Sequence, residues 1–161
     1  MSQKEEIQAI YQNFTNHFES VILCTVSVEG IPNASYAPFV MDEAKNVYIF
    51  VSGLSTHTRN LHSNPRVSIL FIDDESKTEQ IFARRRLTFD CTATLMKQTP
   101  EWTYIADKFE TRFGEIIKML RSLPDFRIFK LTPQQGQFVT GFGAAYKITG
   151  DDLNHLIHQG N

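Results

Sequence analysis

At 161 residues the chain has the length of one domain with its own core. A net charge of −2, from 16 Lys and Arg against 18 Asp and Glu, supplies no basic face for nucleic acid, and no apolar run approaches the roughly 20 residues that span a bilayer. The acidic, periodic start MSQKEEIQAIYQ is unlike a signal peptide, and the two cysteines, Cys24 and Cys91, read as buried free thiols, so a cytoplasmic location is expected.

In chain order, Ser2-Gln3-Lys4-Glu5 has the form of a capping box, and Ile7, Ile10, Tyr11, Phe14 and Phe18 follow at helical spacing. These predict a helix within 1–18. Strands are expected at Ser20–Ser27, Asn33–Met41 and Val47–Val51, joined by turns at Glu29-Gly30 and Asp42–Asn46. Pro38 marks an edge, a bulge or a strand end. A short helix, then Asn64-Pro65, leads to a strand at Val67–Phe71. Asp73–Gln80 is a solvated loop before the longest strand pattern, Ile81–Met96, whose apolar parity shifts between Phe82 and Leu87 and predicts a bulge beside the arginines. Pro100 opens a helical insertion over 100–123, which Pro124 stops. Strands at Phe126–Leu131 and Gln137–Phe142 follow, and Thr149 or Asp151 caps a last helix in the 150–161 segment.

Six or so strands with inserted helices predict a mainly β, α+β domain over 1–161, closed or nearly closed into a barrel. Most of the 13 Phe are expected to fill it, although such rings can also wall a flat cofactor or close a dimer interface.

The segment SGLSTHTRNLHSNPRVSILF (52–71) resembles, in its strand, turn, helix and strand, the flavin-phosphate segment of the pyridoxamine 5′-phosphate oxidase-like split barrels. There the turn carries Ser-Arg-Lys, whose cations hold the FMN phosphate. Here the same places are Ser55, Thr56 and His57. Four further stretches, SYAPFV (35–40), FARRRLTFD (82–90), RFGEII (112–117) and FVTGFGAAYKITGDDL (138–153), together resemble the haem-utilisation proteins of the HugZ/HutZ type. That resemblance implies a homodimeric, six-stranded split β-barrel of the FMN-binding type with haem at the subunit interface. It also implies oxidative haem degradation that releases iron, with electrons from an external donor.

The resemblance puts the distal arginine at Arg86 and, at Asp125, the aspartate that supports the axial histidine from the partner subunit. The family's axial histidine follows a glycine near the C-terminus and has no counterpart at Gly160-Asn161. His158 is then the expected iron ligand and His155, on the same face of the expected helix, the second candidate, with plain histidines in a mobile terminus as the alternative. Arg84 and Arg86 are candidates for a haem propionate or bound dioxygen, with ion pairs to Asp73-Asp74-Glu75 as the alternative. Ser55, His57 and Arg59 form a candidate anion or haem-edge site, with a plain surface histidine as the alternative at His57. Asp125 can equally be a turn residue after Pro124. Two rival functions remain open at this level: an FMN-dependent oxidoreductase, and a haem carrier or storage protein without turnover.

Overall fold

The computed structural model describes residues 1–160, so Asn161 of the expected C-terminal tail lies outside the described residues. Helix α1 (Gln3–Phe14) starts at the capping box, where Ser2 and Glu5 each bond the other's backbone N–H. The strands are β1 (Ser20–Val26), β2 (Pro32–Met41), β3 (Val47–Ser52), β4 (Arg66–Ile72), β5 (Arg86–Leu95), β6 (Phe126–Gly141), β7 (Ala144–Thr149) and β8 (His155–His158). Helix α2 (Thr56–Ser63) joins β3 to β4, while α3 (Pro100–Phe113) and α4 (Glu115–Arg121) lie between β5 and β6. The sheet runs β3-β2-β1-β4-β5-β6-β7-β8, all antiparallel, and a β3–β6 pairing closes the first six strands into a barrel. The β7–β8 hairpin extends the sheet beyond that closure.

Two apolar layers hold the barrel. Val21, Leu23, Ile49, Ile69, Leu87, Phe89 and Phe129 fill the interior, where Tyr11 and Phe14 of α1 pack with them. Outside β3, Tyr48 and Phe50 meet Ile105, Ala106 and Phe109 of α3 and Ile117 of α4. Both faces of β3 are therefore covered, which is why VYIF and Val51 form an unbroken apolar run rather than an alternation. Among the described residues no helix is long and apolar enough to cross a membrane.

Five expectations need correction. The last segment is not a helix: His155–His158 pairs with β7 as an edge strand. Residues 126–142 form one long strand instead of two, because Thr132–Gly136 stays paired to β5 through a register shift at Asp90/Cys91. The predicted bulge beside the arginines is a 3-10 turn at Ile81–Ala83, and β5 begins only at Arg86. Pro38 sits inside the sheet, opposite Ser20, where β2 passes from β1 to β3. Cys91 is buried, with its thiol pushed up to about 12 by burial and the nearby Asp90, but Cys24 is exposed on the outer face of β1.

Candidate functional site

The candidate residues fall into three places. The first is the turn from β3 into α2. Ser55 is the N-cap residue of α2, although its hydroxyl makes no cap bond. Arg59 arches back over the turn, donating to the Leu54 carbonyl (3.2 Å) and Thr56 Oγ1 (3.3 Å). His57 is half-buried, and its Nδ1 lies 2.9 Å from Ser35 Oγ on β2. Burial lowers its pKa, so the imidazole is neutral and does not restore the missing lysine charge.

Asp125 belongs to the same turn. Its carboxylate accepts from Ser52 Oγ (3.2 Å) and its carbonyl from the Gly53 N–H (2.6 Å). Beside it stands Arg127, which the sequence did not single out. A Cβ on Gly53 would lie 2.9 Å from the Arg127 guanidinium carbon, so the glycine lets the cation pack flat on the turn. Arg127 also donates to His62 Nε2 at 2.9 Å. A guanidinium only donates, so Nε2 is the acceptor in this contact. These contacts cross the β3–β6 ladder and a gap of 65 residues, and no local motif announces them.

The second place is the start of β5. Arg84 is held by the acidic loop: its Nε donates to the Asp73 carbonyl at 2.6 Å, and its Nη1 lies 3.7 Å from Glu75. The Arg85 carbonyl accepts from the Asp73 N–H (3.0 Å). Among the described residues Arg86 donates one side-chain bond, to the Arg84 carbonyl (3.0 Å), which leaves the other N–H groups of its fork without a partner there. It alternates with buried Leu87, so it faces outward.

The third place is His158 on β8. Its Nε2 lies 2.6 Å from the Gly143 carbonyl, and its ring meets Tyr146 edge-on at 5.3 Å. A carbonyl only accepts, so Nε2 is the donor in this contact, which leaves Nδ1 as the nitrogen that could face iron. A metal-binding imidazole generally donates its other N–H to such a partner. Gly160 folds against the open nitrogen: a Cβ there would stand 3.1 Å from Nδ1. A cleft of about 590 Å³ between α1 and the hairpin, lined by Gln3, Lys4, Ile7, Phe142 and Tyr146, receives the ring.

Within one chain these places do not converge. Leu87, Phe138, Tyr146 and His158 are successive cross-strand partners and share a face, as do Arg86, Val139 and Ala145 on the opposite face. Arg86 and His158 therefore lie on opposite sides of the sheet. Asp125, just before β6, is separated along the strand from the Val139 level of Arg86 by roughly 46 Å of chain at about 3.3 Å per residue. His155, expected to share a face with His158, points the other way, because residues three apart on a strand alternate. Among the described residues no group of three or more His, Cys, Asp or Glu is placed to hold a metal ion. A single imidazole suffices for haem iron.

Comparison with known proteins adds the relationships. The family model for pyridoxamine 5′-phosphate oxidase matches residues 4–140, from α1 nearly to the end of β6, and stops before the β7–β8 extension. The haem oxygenase HutZ of Vibrio cholerae is 44% identical over 148 residues, 91% of this chain and 84% of that protein. Among solved structures, ChuZ of Campylobacter jejuni superposes with a TM-score of 0.88 at 34% identity, covering 99% of this chain, which spans 65% of the ChuZ chain. HutZ of Vibrio cholerae, there called a haem storage protein, superposes with a TM-score of 0.76 at 39% identity, covering 96% of this chain and 100% of its own.

Proposed function

Because the chain belongs to the pyridoxamine 5′-phosphate oxidase family, in the branch of HutZ, we propose that it binds haem and opens the ring oxidatively, releasing iron. The kinship to HutZ supplies the reaction. The observation in this chain that carries it is His158: an imidazole held through Nε2 by a carbonyl, with Nδ1 turned to the side where Gly160, lacking a side chain, stands. Flavin would find neither turn cation, since Thr56 and neutral His57 occupy their places.

Haem is the substrate and brings its own iron and porphyrin, while dioxygen and electrons come from outside the chain through a separate donor. His158 Nδ1 holds the iron. Arg86, with N–H groups to spare, is the distal donor, and Arg84, anchored by Asp73 and Glu75, limits how far Arg86 can move. Asp125 reaches the site from the partner subunit, where its carboxylate raises the basicity of the ligand. The opposed directions of Arg86 and His158 support a site shared by two copies of the chain. So does the outer face of β1, β2 and β4, where Ile22, Cys24, Ala34, Tyr36 and Leu70 present small and apolar side chains. Tyr36 is 66% exposed there, a large aromatic surface for a single chain to leave in water. The working location is the cytoplasm, where both thiols stay reduced.

The test is single turnover: haem-loaded protein receives a reductant and dioxygen in the presence of a ferrous chelator. Loss of the Soret band with stoichiometric iron release is expected. A stable Soret band through repeated reduction favours the second reading, a storage protein, which the description of the HutZ crystal structure also supports.

A further inference from the structure

The structure assigns to Gln8, Tyr11 and Lys45 the task of clamping the hairpin that carries His158. The functional half of this inference rests on His158 holding haem iron, as proposed above.

β8 is the last strand of the sheet and has a ladder partner on one side only, β7. A four-residue edge strand held by one ladder is poorly fixed by itself. Leu156 packs its side chain against the core and Gln159 bonds Ala145 and Gln137, and the loop before β8 adds a further anchor, on which groups from two other parts of the chain converge. From α1, Tyr11 Oη donates to the Leu153 carbonyl at 2.7 Å and Gln8 Nε2 to the Asn154 carbonyl at 2.9 Å. From the turn between β2 and β3, Lys45 Nζ donates to Asn154 Oδ1 at 2.9 Å and to the Asp152 carbonyl at 3.3 Å.

Two backbone details say that this contact is specified. Lys45 and Leu153 have φ of +67° and +57°, and they are the non-glycine residues with positive φ among those described. Side chains other than those of Gly, Asn and Asp seldom adopt that region, so the surroundings must hold them there. Leu153 is held because its side chain is 4% exposed, within the barrel core. Lys45 is held by the turn bond from its N–H to the Asp42 carbonyl and by its ammonium bonds to the loop. Tyr11 in turn packs on Phe138 with ring centroids 5.7 Å apart, which ties the clamp to β6. Burial keeps its phenol protonated far above the ordinary tyrosine range, so it remains a donor.

The clamp sets where β8 begins, and His158 lies three residues beyond its first residue, His155. A shift of the loop moves the imidazole away from its carbonyl partner and out of the cleft. Gln8, Tyr11 and Lys45 are therefore positioning residues, acting on the iron through His158 and not by touching it.

The experiment uses the full chain with Lys45→Met and, since that change removes a charge, Tyr11→Phe, which removes one oxygen and keeps the ring. Hydrogen exchange without haem is read first, followed by release of haem to excess apomyoglobin and by the axial-ligand spectrum. Faster exchange over 150–158 with β1–β5 unchanged, roughly tenfold faster haem release, and a spectrum shifted towards that of His158→Ala are expected. Unchanged exchange overturns the clamp. Faster exchange with unaltered haem release and spectrum overturns the positioning role. If the wild type binds haem no better than His158→Ala, the haem reading fails, and exchange still decides the clamp itself.

Discussion

Gly136→Ala is the substitution whose cost the structure fixes best. Gly136 faces Phe89 across the β5–β6 ladder, next to the register shift, and its φ is not in the left-handed region. The demand for glycine is therefore one of space. A Cβ there would lie 2.7 Å from the Thr88 carbonyl oxygen and 2.7 Å from Phe89 Cδ1. Neither neighbour gives way easily: one is backbone within the ladder, and the other ring is fully buried among the barrel residues. The strands must part or the core must repack, at a cost of roughly 3 kcal/mol, which lowers Tm by about 6–12 °C in a chain of this size. Gly53→Ala is the control. The atoms nearest its Cβ are all at the tip of Arg127, which can swing aside at the loss of its bond to His62, about 1 kcal/mol or less. Urea unfolding followed through Trp102, the single tryptophan, at one fixed protein concentration measures both. Equal losses in the two variants, or a Gly136→Ala protein as stable as wild type, would refute the steric argument.

Thr58→Val removes the buried hydroxyl that has no partner among the described residues, and should raise stability by about 1 kcal/mol in the same assay. His57 has a folded pKa below its unfolded value, because burial disfavours the cation. Its contribution is fully present above about pH 6.5, the unfolded value, and is lost as pH falls from there towards the folded value. His57→Asn should flatten that acid-side loss relative to wild type, and parallel curves would count against a buried neutral histidine. Gly160→Ala places a methyl 3.1 Å from His158 Nδ1 and should weaken haem binding while leaving Tm unchanged. Cys24 should react with a thiol reagent in dilute protein and be protected as the dimer forms, whereas Cys91 stays unreactive in both; equal Cys24 labelling at all concentrations argues against the proposed interface.

What the sequence made legible follows from burial. β1 and β4 were marked by apolar, β-branched runs and β5 by its spaced apolar positions, because each buries one face, and α1 was marked by its cap and stripe. Thr132-Pro133-Gln134-Gln135-Gly136 fell between the two expected strands because it carries no apolar pattern, yet the strand continues through it by a bulge that only pairing with β5 reveals. HLIH is too short for periodicity to separate helix from strand, and assigning it to helix set His155 and His158 side by side when they face apart. The site was legible only where a family motif covers it. Arg127 against Gly53, Ser35 with His57, and the Gly143 carbonyl on His158 are contacts between distant segments, for which the local sequence carries no signal.

Haem titration of the apo protein followed by its absorption spectrum, run beside His158→Ala, tests the central claim most directly. Saturable binding at one haem per subunit, with a histidine-ligated Soret band that the substitution abolishes, is the predicted result. An identical spectrum and affinity in His158→Ala, or no saturable binding by the wild type, would contradict the account.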